Sequence, residues 1–497
     1  MQKYDVYNFS TVIFVVVIPI ISLLFLFGIL FFNEKILVVG GPGSPFTTIQ
    51  SAIDEASPGD IILVTRGGSP YEESVEIGPG KNRLQLIGLG KPIIDGSTLG
   101  PGFNGLTISD SSRVKVKGLT VQGFKLDFDD TGSGIVVEEN SSNNLITRNI
   151  TKFNDEDGIA IVSSTKNIII GNEVSRSGDD GILLDTSIKN ILIGNRSDDN
   201  EDEGISVDFS SNNNFLLSNK NARNSDKGIF LFQSSNNMLV GNKMNDGDDE
   251  GMELDNESNN NIVLGNIGIR NEGGIIVDDN TQNNIVIGNL YRNNTEDGIL
   301  VDDGAMNNIV ISNKVIDNER DGIRVGDKTF NNMIKHNTVI QNERGILIRN
   351  NDSTFNQNNE VTSNLVAKNI VVGIILEGAT SNIIQNNKII RNGVGIISKP
   401  RPEFLNEAQN NSIEKNKIVR NDNDGINFEN STANTIRENI INRNGGNGIF
   451  LDSNSTANDI LLNWVMKNVI TDINDEDNNF FLGNKCGTSI PANICSD

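Results

Sequence analysis

Sixty-five acidic against 41 basic residues leave this chain of 497 with a net charge of −24, which weighs against nucleic acid and anionic lipid headgroups as partners. The same surplus opposes direct binding of polyuronates unless a divalent cation bridges two carboxylate surfaces. Length permits several globular domains, but a solenoid core grows with its repeats, and one solenoid accommodates most of the chain.

The first feature is Val12 to Phe32, an uncharged apolar run of 21 residues, long enough to span a bilayer as a helix. A signal peptide has an apolar region of about 7 to 15 residues and a small-residue cleavage site. Asn33, Glu34 and Lys35 follow here instead, so residues 1–35 read as a cytoplasmic stub and uncleaved anchor, with the remainder outside. Cleavage would make the protein secreted. Residues 36–125 read as an N-terminal cap and first irregular coils. Pro45 and Thr47 or Thr48 introduce a short helix with Ile49, Ala52, Ile53 and Ala56 on one face, suited to covering the open end of a stack of strands.

Residues 126–470 repeat. Gly-Ile pairs recur at Gly134, Gly158, Gly181, Gly204, Gly228, Gly274, Gly298, Gly322, Gly345, Gly373, Gly395, Gly425 and Gly448, with Gly251-Met252 filling one gap. The step is 22 to 24 residues apart from two longer ones. An Asn keeps the same beat after each short aliphatic run, from Asn149 through Asn289 to Asn463. Two markers in phase mean a repeat architecture. The apolar residues alternate, as in Ile285 and Ile287, then Ile299 and Val301, which is the strand signal. Nothing shows a sustained period near 3.6, so helical solenoids are excluded. What remains is an all-β parallel β-helix of three-strand coils, some 16 or 17 of them, about 80 Å long. Asn, tolerant of left-handed backbone, is expected at the corners and in a ladder between coils.

The longer steps carry inserts near residues 350–359 and 398–409 that should protrude as loops. Residues 471–497 read as a C-terminal cap in which Cys486 and Cys495 close a disulfide, given an oxidising compartment.

The opening FTTIQSAIDEASPGDIILV, followed by YEESVEI, LQLIGLG and IIDGS, resembles secreted right-handed β-helix proteins of the pectin-lyase-like superfamily. The repeats resemble its NosD-type and carbohydrate-binding or sugar-hydrolase groups. The resemblance spans about Ile36 to Cys495 and implies the fold far more specifically than any function. It implies that the Gly-Ile strand lies on the face along which many relatives bind polysaccharide.

That face carries acid. Four residues after the glycine stand Asp185, Asp208, Asp255, Asp278 and Asp302, and immediately before it Asp157, Asp180, Glu203, Glu250, Asp297 and Asp321. Stacked carboxylates suit Ca²⁺, with Asp278, Asp302 and Asp303 as candidate ligands. They equally suit a solvated surface that keeps rods apart. Two residues after the glycine, Leu183, Phe230, Ile276, Leu300 and Ile375 form an apolar stripe. Phe230 and Phe232, with Asp185, Asp208, Asp255 and Asp278, are the candidate ligand-binding residues. Arg324, with Asp302 and Asp303, is the candidate catalytic group, since the superfamily's lyases pair Arg or Lys with Ca²⁺-binding carboxylates. A ladder of ion pairs explains the same residues. One histidine, His336, seven methionines and two cysteines offer no soft-ligand cluster for the copper linked with NosD-type relatives. The expectation is a noncatalytic surface protein, structural or binding a polysaccharide or cell-surface protein, with no cofactor required and Ca²⁺ at the acidic columns as an option; the alternative is a Ca²⁺-dependent lyase or epimerase acting on a uronate-containing glycan.

Overall fold

The computed structural model describes residues 34–127, 131–351, 357–401, 403–404, 406–477, 479–492 and 494–495. The apolar run Val12–Phe32 lies outside them. Among the described residues no helix is long and apolar enough to cross a membrane.

Short alternating strands separated by sharp corners give a right-handed parallel β-helix of about 18 turns, a rod of roughly 85 Å at about 4.8 Å per coil. Each coil contributes one strand to each of three sheets. In the coil around Asn289 these are Ile285–Ile287 in sheet A, Leu290–Arg292 in sheet B and Ile299–Val301 in sheet C. Every pairing is parallel and one coil deep: Ile262↔Ile285↔Ile309, Ile267↔Leu290↔Lys314 and Ile275↔Ile299↔Ile323. Like residues therefore stack in files. Sheet C buries Ile299 and Val301, as its alternation predicts. Sheet A reverses the reading: Val286 faces the core, and Ile285 and Ile287 flank it, half-buried on the outside. A three-residue strand has one inward position, so its β-branched outer pair covers the sheet from the solvent side.

Three files of buried Asn mark the corners. In the expected one, Asn289 Oδ1 accepts from Asn266 N (2.7 Å) and Nδ2 (3.1 Å), while its Nδ2 donates to Asn313 Oδ1 (2.9 Å) and Val263 O (3.0 Å). A second file runs Asn261, Asn284, Asn308 and a third Asn271, Asn294, Asn318. The left-handed residue is the one before the expected Asn: Gly288, Ser312 and His336 have φ of 66°, 57° and 55°. The corner bend thus belongs to that residue, and the Asn serves the hydrogen-bond file.

The first coils are more regular than the sequence suggests. Ile36–Val39, Ile61–Thr65, Gln85–Leu89 and Lys115–Lys117 stack in register at the start of sheet A, which accounts for the extra coils. The capping helix is α1, Ile49–Glu55, with Thr48 as N-cap and Ile49, Ala52 and Ile53 buried in the main core. Its first amides, Ile49 N and Gln50 N, donate to the Glu73 carboxylate (2.7 and 3.0 Å), where the helix dipole favours an anion. At the other end Phe480–Leu482, Lys485–Cys486 and Ser489–Ile490 continue all three sheets. Cys486 is bonded to Cys495. The second insert folds back rather than protruding, because Arg401 Nη1 donates to Asp327 Oδ1 at 2.6 Å.

Candidate functional site on sheet C

Sheet C is built by a turn, a glycine and a strand. The glycine is there for close approach: a Cβ on Gly298 would run into Val315 Cγ1 and lie 2.8 Å from Gly322 O in the next coil. This tight stacking lines up the residue before each glycine. Gly158 N donates to Asp180 O and Gly181 N to Glu203 O, both 2.9 Å, so Asp157, Asp180 and Glu203 occupy successive rungs. All three are buried. Burial, then repulsion from neighbouring acids, pushes Asp157 and Asp180 well above the usual carboxylate range. Burial likewise raises Glu203 to about 8, against its hydrogen bond with Asp180. Carboxylate oxygens of Asp179, Asp180 and Asp202 lie within 4.8 Å of one another, as do those of Asp202, Glu203 and Asp226.

The file four residues after the glycine also forms: Asp185 stands opposite Asp208, and Phe232 opposite Asp255. Asp208 and Asp278 are raised to about 6, first by burial. Between Asp208 and Asp255 the acids give way to rings. Phe230 and Phe232 are 6.0 Å apart, and Phe209 packs edge-on to Phe232 at 5.4 Å. Phe209, 53% exposed, is absent from the sequence-derived set because it lies one residue past the strand, at a left-handed turn with φ of 45°. Its adjacency to Asp208 was the available signal. Lys227 Nζ sits 5.2 Å from the Phe230 ring centre and donates to Asp226 Oδ2 at 3.0 Å, with Asp249 and Glu253 each at 3.6 Å.

Further along, two of the candidate catalytic and metal residues, Arg324 and Asp302, join one ion network. Arg324 Nη2 donates to Asp302 Oδ2 (2.8 Å), with Asp297 at 3.6 Å. Arg344 donates twice to Asp321 (2.6 and 2.8 Å). Arg349 lies 3.8 Å from both Asp302 and Asp327, and Arg401 closes on Asp327. Asp302 also accepts from Asp303 N (3.0 Å) and Asp327 N (2.5 Å). Four guanidinium groups thus meet four carboxylates. Asp303 stands exposed on the next turn, and Asp278 lies one coil back, outside the network. In the coils after it, Val372 and Val394 replace the acid before the glycine and pack with Leu347, Ile375 and Ile397 in a small cluster separate from the main core. The turn residue and the outward strand residue therefore share one partly closed trough, apolar here and acidic earlier.

Residues 94–271 and 251–402 match the family described as periplasmic copper-binding protein (NosD), and residues 355–465 and 403–486 match right handed beta helix region. The chain belongs to the NosD family. No curated protein matches it in sequence. A DFA-IIIase from Arthrobacter chlorophenolicus A6, solved without its lid, is similar at 16% identity and a TM-score of 0.50 over 61% of this chain and 94% of its own. PfbA, a surface adhesin of Streptococcus pneumoniae, is similar at 12% and 0.45 over 61% and 82%. Likeness at this level establishes the fold alone.

The residues of this NosD-family chain do not fit copper. His336 is exposed at a corner, Cys486 and Cys495 are bonded to each other, and Met244 and Met252 are core residues. Met238 and Met333 stand four coils apart in one file. Both clusters with metal-ligand spacing among the described residues consist of carboxylates, which suit hard cations.

Proposed function

We propose that this chain is a noncatalytic, membrane-tethered β-helix outside the cytoplasm that binds a polysaccharide or a cell-surface protein along sheet C. The observation that carries the reading is the group of rings, Phe209, Phe230 and Phe232, on a rigid sheet between the carboxylates of Asp208 and Asp255. Phenyl faces receive the apolar face of a sugar, and the flanking carboxylates accept its hydroxyls. The surrounding acid favours a neutral glycan over a uronate. The Cys486–Cys495 disulfide supports an oxidising compartment, and Val12 to Phe32 supplies the tether. Arg324, held between Asp297 and Asp302, is a charged structural group there, not a base.

A glycan array probed with the full chain tests this. Binding to neutral glycans that falls at least tenfold, about 1.4 kcal/mol, in both Phe230→Ala and Phe232→Ala is the expected result. Glycan hits indifferent to both substitutions would overturn it. Ca²⁺-dependent release of unsaturated uronate, abolished by Arg324→Ala, would establish the lyase instead.

A further inference from the structure

Sheet A turns an apolar face outward. In each of the seven coils from Ile168–Ile170 to Ile309–Ile311 both outward residues of the strand are apolar, as in Ile191 and Ile193 or Ile262 and Leu264. These strands pair in unbroken register, so the residues form two adjoining files. The fold does not demand them, because the same files later hold Glu360 and Thr362, Ser412 and Glu414, then Thr435 and Arg437. Strand propensity alone therefore does not account for the apolar run. The corners change over the same coils. The left-handed residue after the strand is glycine in five of them, as at Gly171 and Gly265, and Ser218 or Ser312 in the others. Arg148 and His336 stand on either side of that run, and Lys415 and Glu438 farther on, all with φ of 52–55°. Left-handed backbone favours glycine, but a Cβ at Gly171, Gly194, Gly265 or Gly288 would meet no described atom within 4 Å. The opposite corner carries exposed Lys166 and Lys189, then an exposed Asn in every coil from Asn213 to Asn307. Among the described residues from Lys166 to Ser312, the outward positions of sheet A and both its corners hold no carboxylate. The same coils place Asp185, Asp208, Asp255 and Asp278 on sheet C.

We propose that this face docks a second copy of the chain, giving two rods side by side and pointing the same way. Charge selects the partner: two bodies of net charge −24 repel each other, and the acid-free face is the side on which they can approach. Shape sets the direction. A two-fold axis parallel to the rods lays the Asn corner of each chain against the Gly and Ser corner of the other, so projecting side chains meet a receding edge. Antiparallel rods would set Asn on Asn and leave a gap between the two glycine edges. Two sheet faces pack at about 10 Å, and aliphatic side chains fill that depth. Seven coils at about 4.8 Å and a strand with its corners, about 15 Å across, give a face near 500 Å². Two such faces bury about 1,000 Å² in all, which reaches the lower limit of a specific interface. A bilayer fits less well, since the only cations beside the apolar files in these coils are Lys166 and Lys189 at one end, and membrane-surface elements carry basic and aromatic residues along their length. A sugar fits less well, since Phe215 is the sole ring among the outward positions and is itself buried. The pairing does not depend on what sheet C binds.

The test is sedimentation equilibrium of the full chain in a nonionic detergent. The expected result is a monomer–dimer equilibrium that Gly265→Glu weakens at least tenfold with unchanged circular dichroism, because Glu438 already occupies the equivalent corner. Asn260→Asp and Asn283→Asp, which keep the side-chain shape at the opposite corner, should weaken it too, and they serve if the glycine variant does not fold. Asn386→Glu, at the Gly265 corner but beyond the apolar run, should dimerise as the parent does. For direction, chains with Asn236→Cys mixed with chains with Gly241→Cys should be joined by a short bismaleimide, and neither variant should be joined to itself. Protein that stays monomeric at about 0.1 mM, a hundredfold above a micromolar Kd, overturns the proposal. So does a dimer indifferent to Gly265→Glu, Asn260→Asp and Asn283→Asp, or one in which each cysteine variant links only to itself. A monomeric parent whose binding on the glycan array is lost in Gly265→Glu would give the face to a glycan instead.

Discussion

Asn289 shows what a single residue carries in this fold. Its side chain meets four groups on the two adjoining coils, all shut away from water. In Asn289→Ala, Asn266 N and Val263 O lose these partners, and each buried unpaired group costs about 1–3 kcal/mol. A loss near 3 kcal/mol in urea unfolding is expected, with no change in the slope. Tyr291 is the opposite case. Its hydroxyl is buried in the core without a partner, and the ring fits because Gly268, one coil back, offers no Cβ; one there would lie 2.9 Å from Tyr291 Cδ1. Tyr291→Phe keeps the ring and removes the orphan, so stability should rise by about 1 kcal/mol, readable in the same unfolding curves. A fall would mean the hydroxyl has a partner. The Asn file after the aliphatic runs was legible from its beat. The two other files were hidden in doublets such as Asn283-Asn284, where an exposed left-handed residue and a buried ladder residue have the same name.

At the scale of one turn, glycine and strand, burial decides chemistry. Glu250 is pushed to about 9, Glu253 to about 7 and Asp321 to about 7, in each case first by burial. A carboxyl raised in the folded state binds its proton more tightly there than in the unfolded chain. Its contribution is therefore fully present below the unfolded values, 4.5 for Glu and 3.8 for Asp, and is lost as the pH climbs through 7 to 9. In EDTA the melting temperature should fall steadily from pH 5 to pH 9. A flat or rising profile over that interval would mean that these carboxyls are compensated. Glu250→Gln should flatten the fall. The acid columns themselves were visible in the sequence, but their state was not. One pattern serves a lysine-held stretch and an arginine-held stretch, and the difference comes from side chains one or more coils away, such as Arg401 on Asp327, 74 residues apart.

For the whole molecule, nearest-neighbour stacking makes coils removable. Deleting residues 412–434 joins Asn411 to Thr435, which then takes the place of Ser412, the residue it stands opposite in the preceding coil. Solenoid stability is close to a sum over units and their interfaces, so the shortened chain should fold with the same circular dichroism. Its maximum dimension in X-ray scattering should be about 4.8 Å smaller; loss of the β signal would mean that the coils are not interchangeable. The rod was legible because the period is printed so many times over. Its two ends were not: residues 36–125 carry neither marker, and the last coil keeps Asn479 and Asn484 in the Asn files but has no Gly-Ile pair, so strand pairing with other side chains holds both ends.

The Asn files also have a direction. Each backbone amide donates toward the C-terminal neighbour, as Asn289 N does to Asn313 Oδ1 at 2.9 Å, so every file arrives at the far end as a row of donors. In two of the three files carboxylates take over there: Asn468 N and Nδ2 donate to Asp472 Oδ1 (3.1 and 2.9 Å), and Asn479 Nδ2 to Asp475 Oδ1 (2.7 Å), while the file through Asn289 reaches Asn484, whose Nδ2 donates to Ile460 O (2.6 Å). An anion that consumes the last donors, and has none to pass on, terminates the series much as an acidic cap begins a helix. Head-to-tail joining of two such rods would have to displace those anions first, so the sequence that makes the molecule extensible also fixes where it ends.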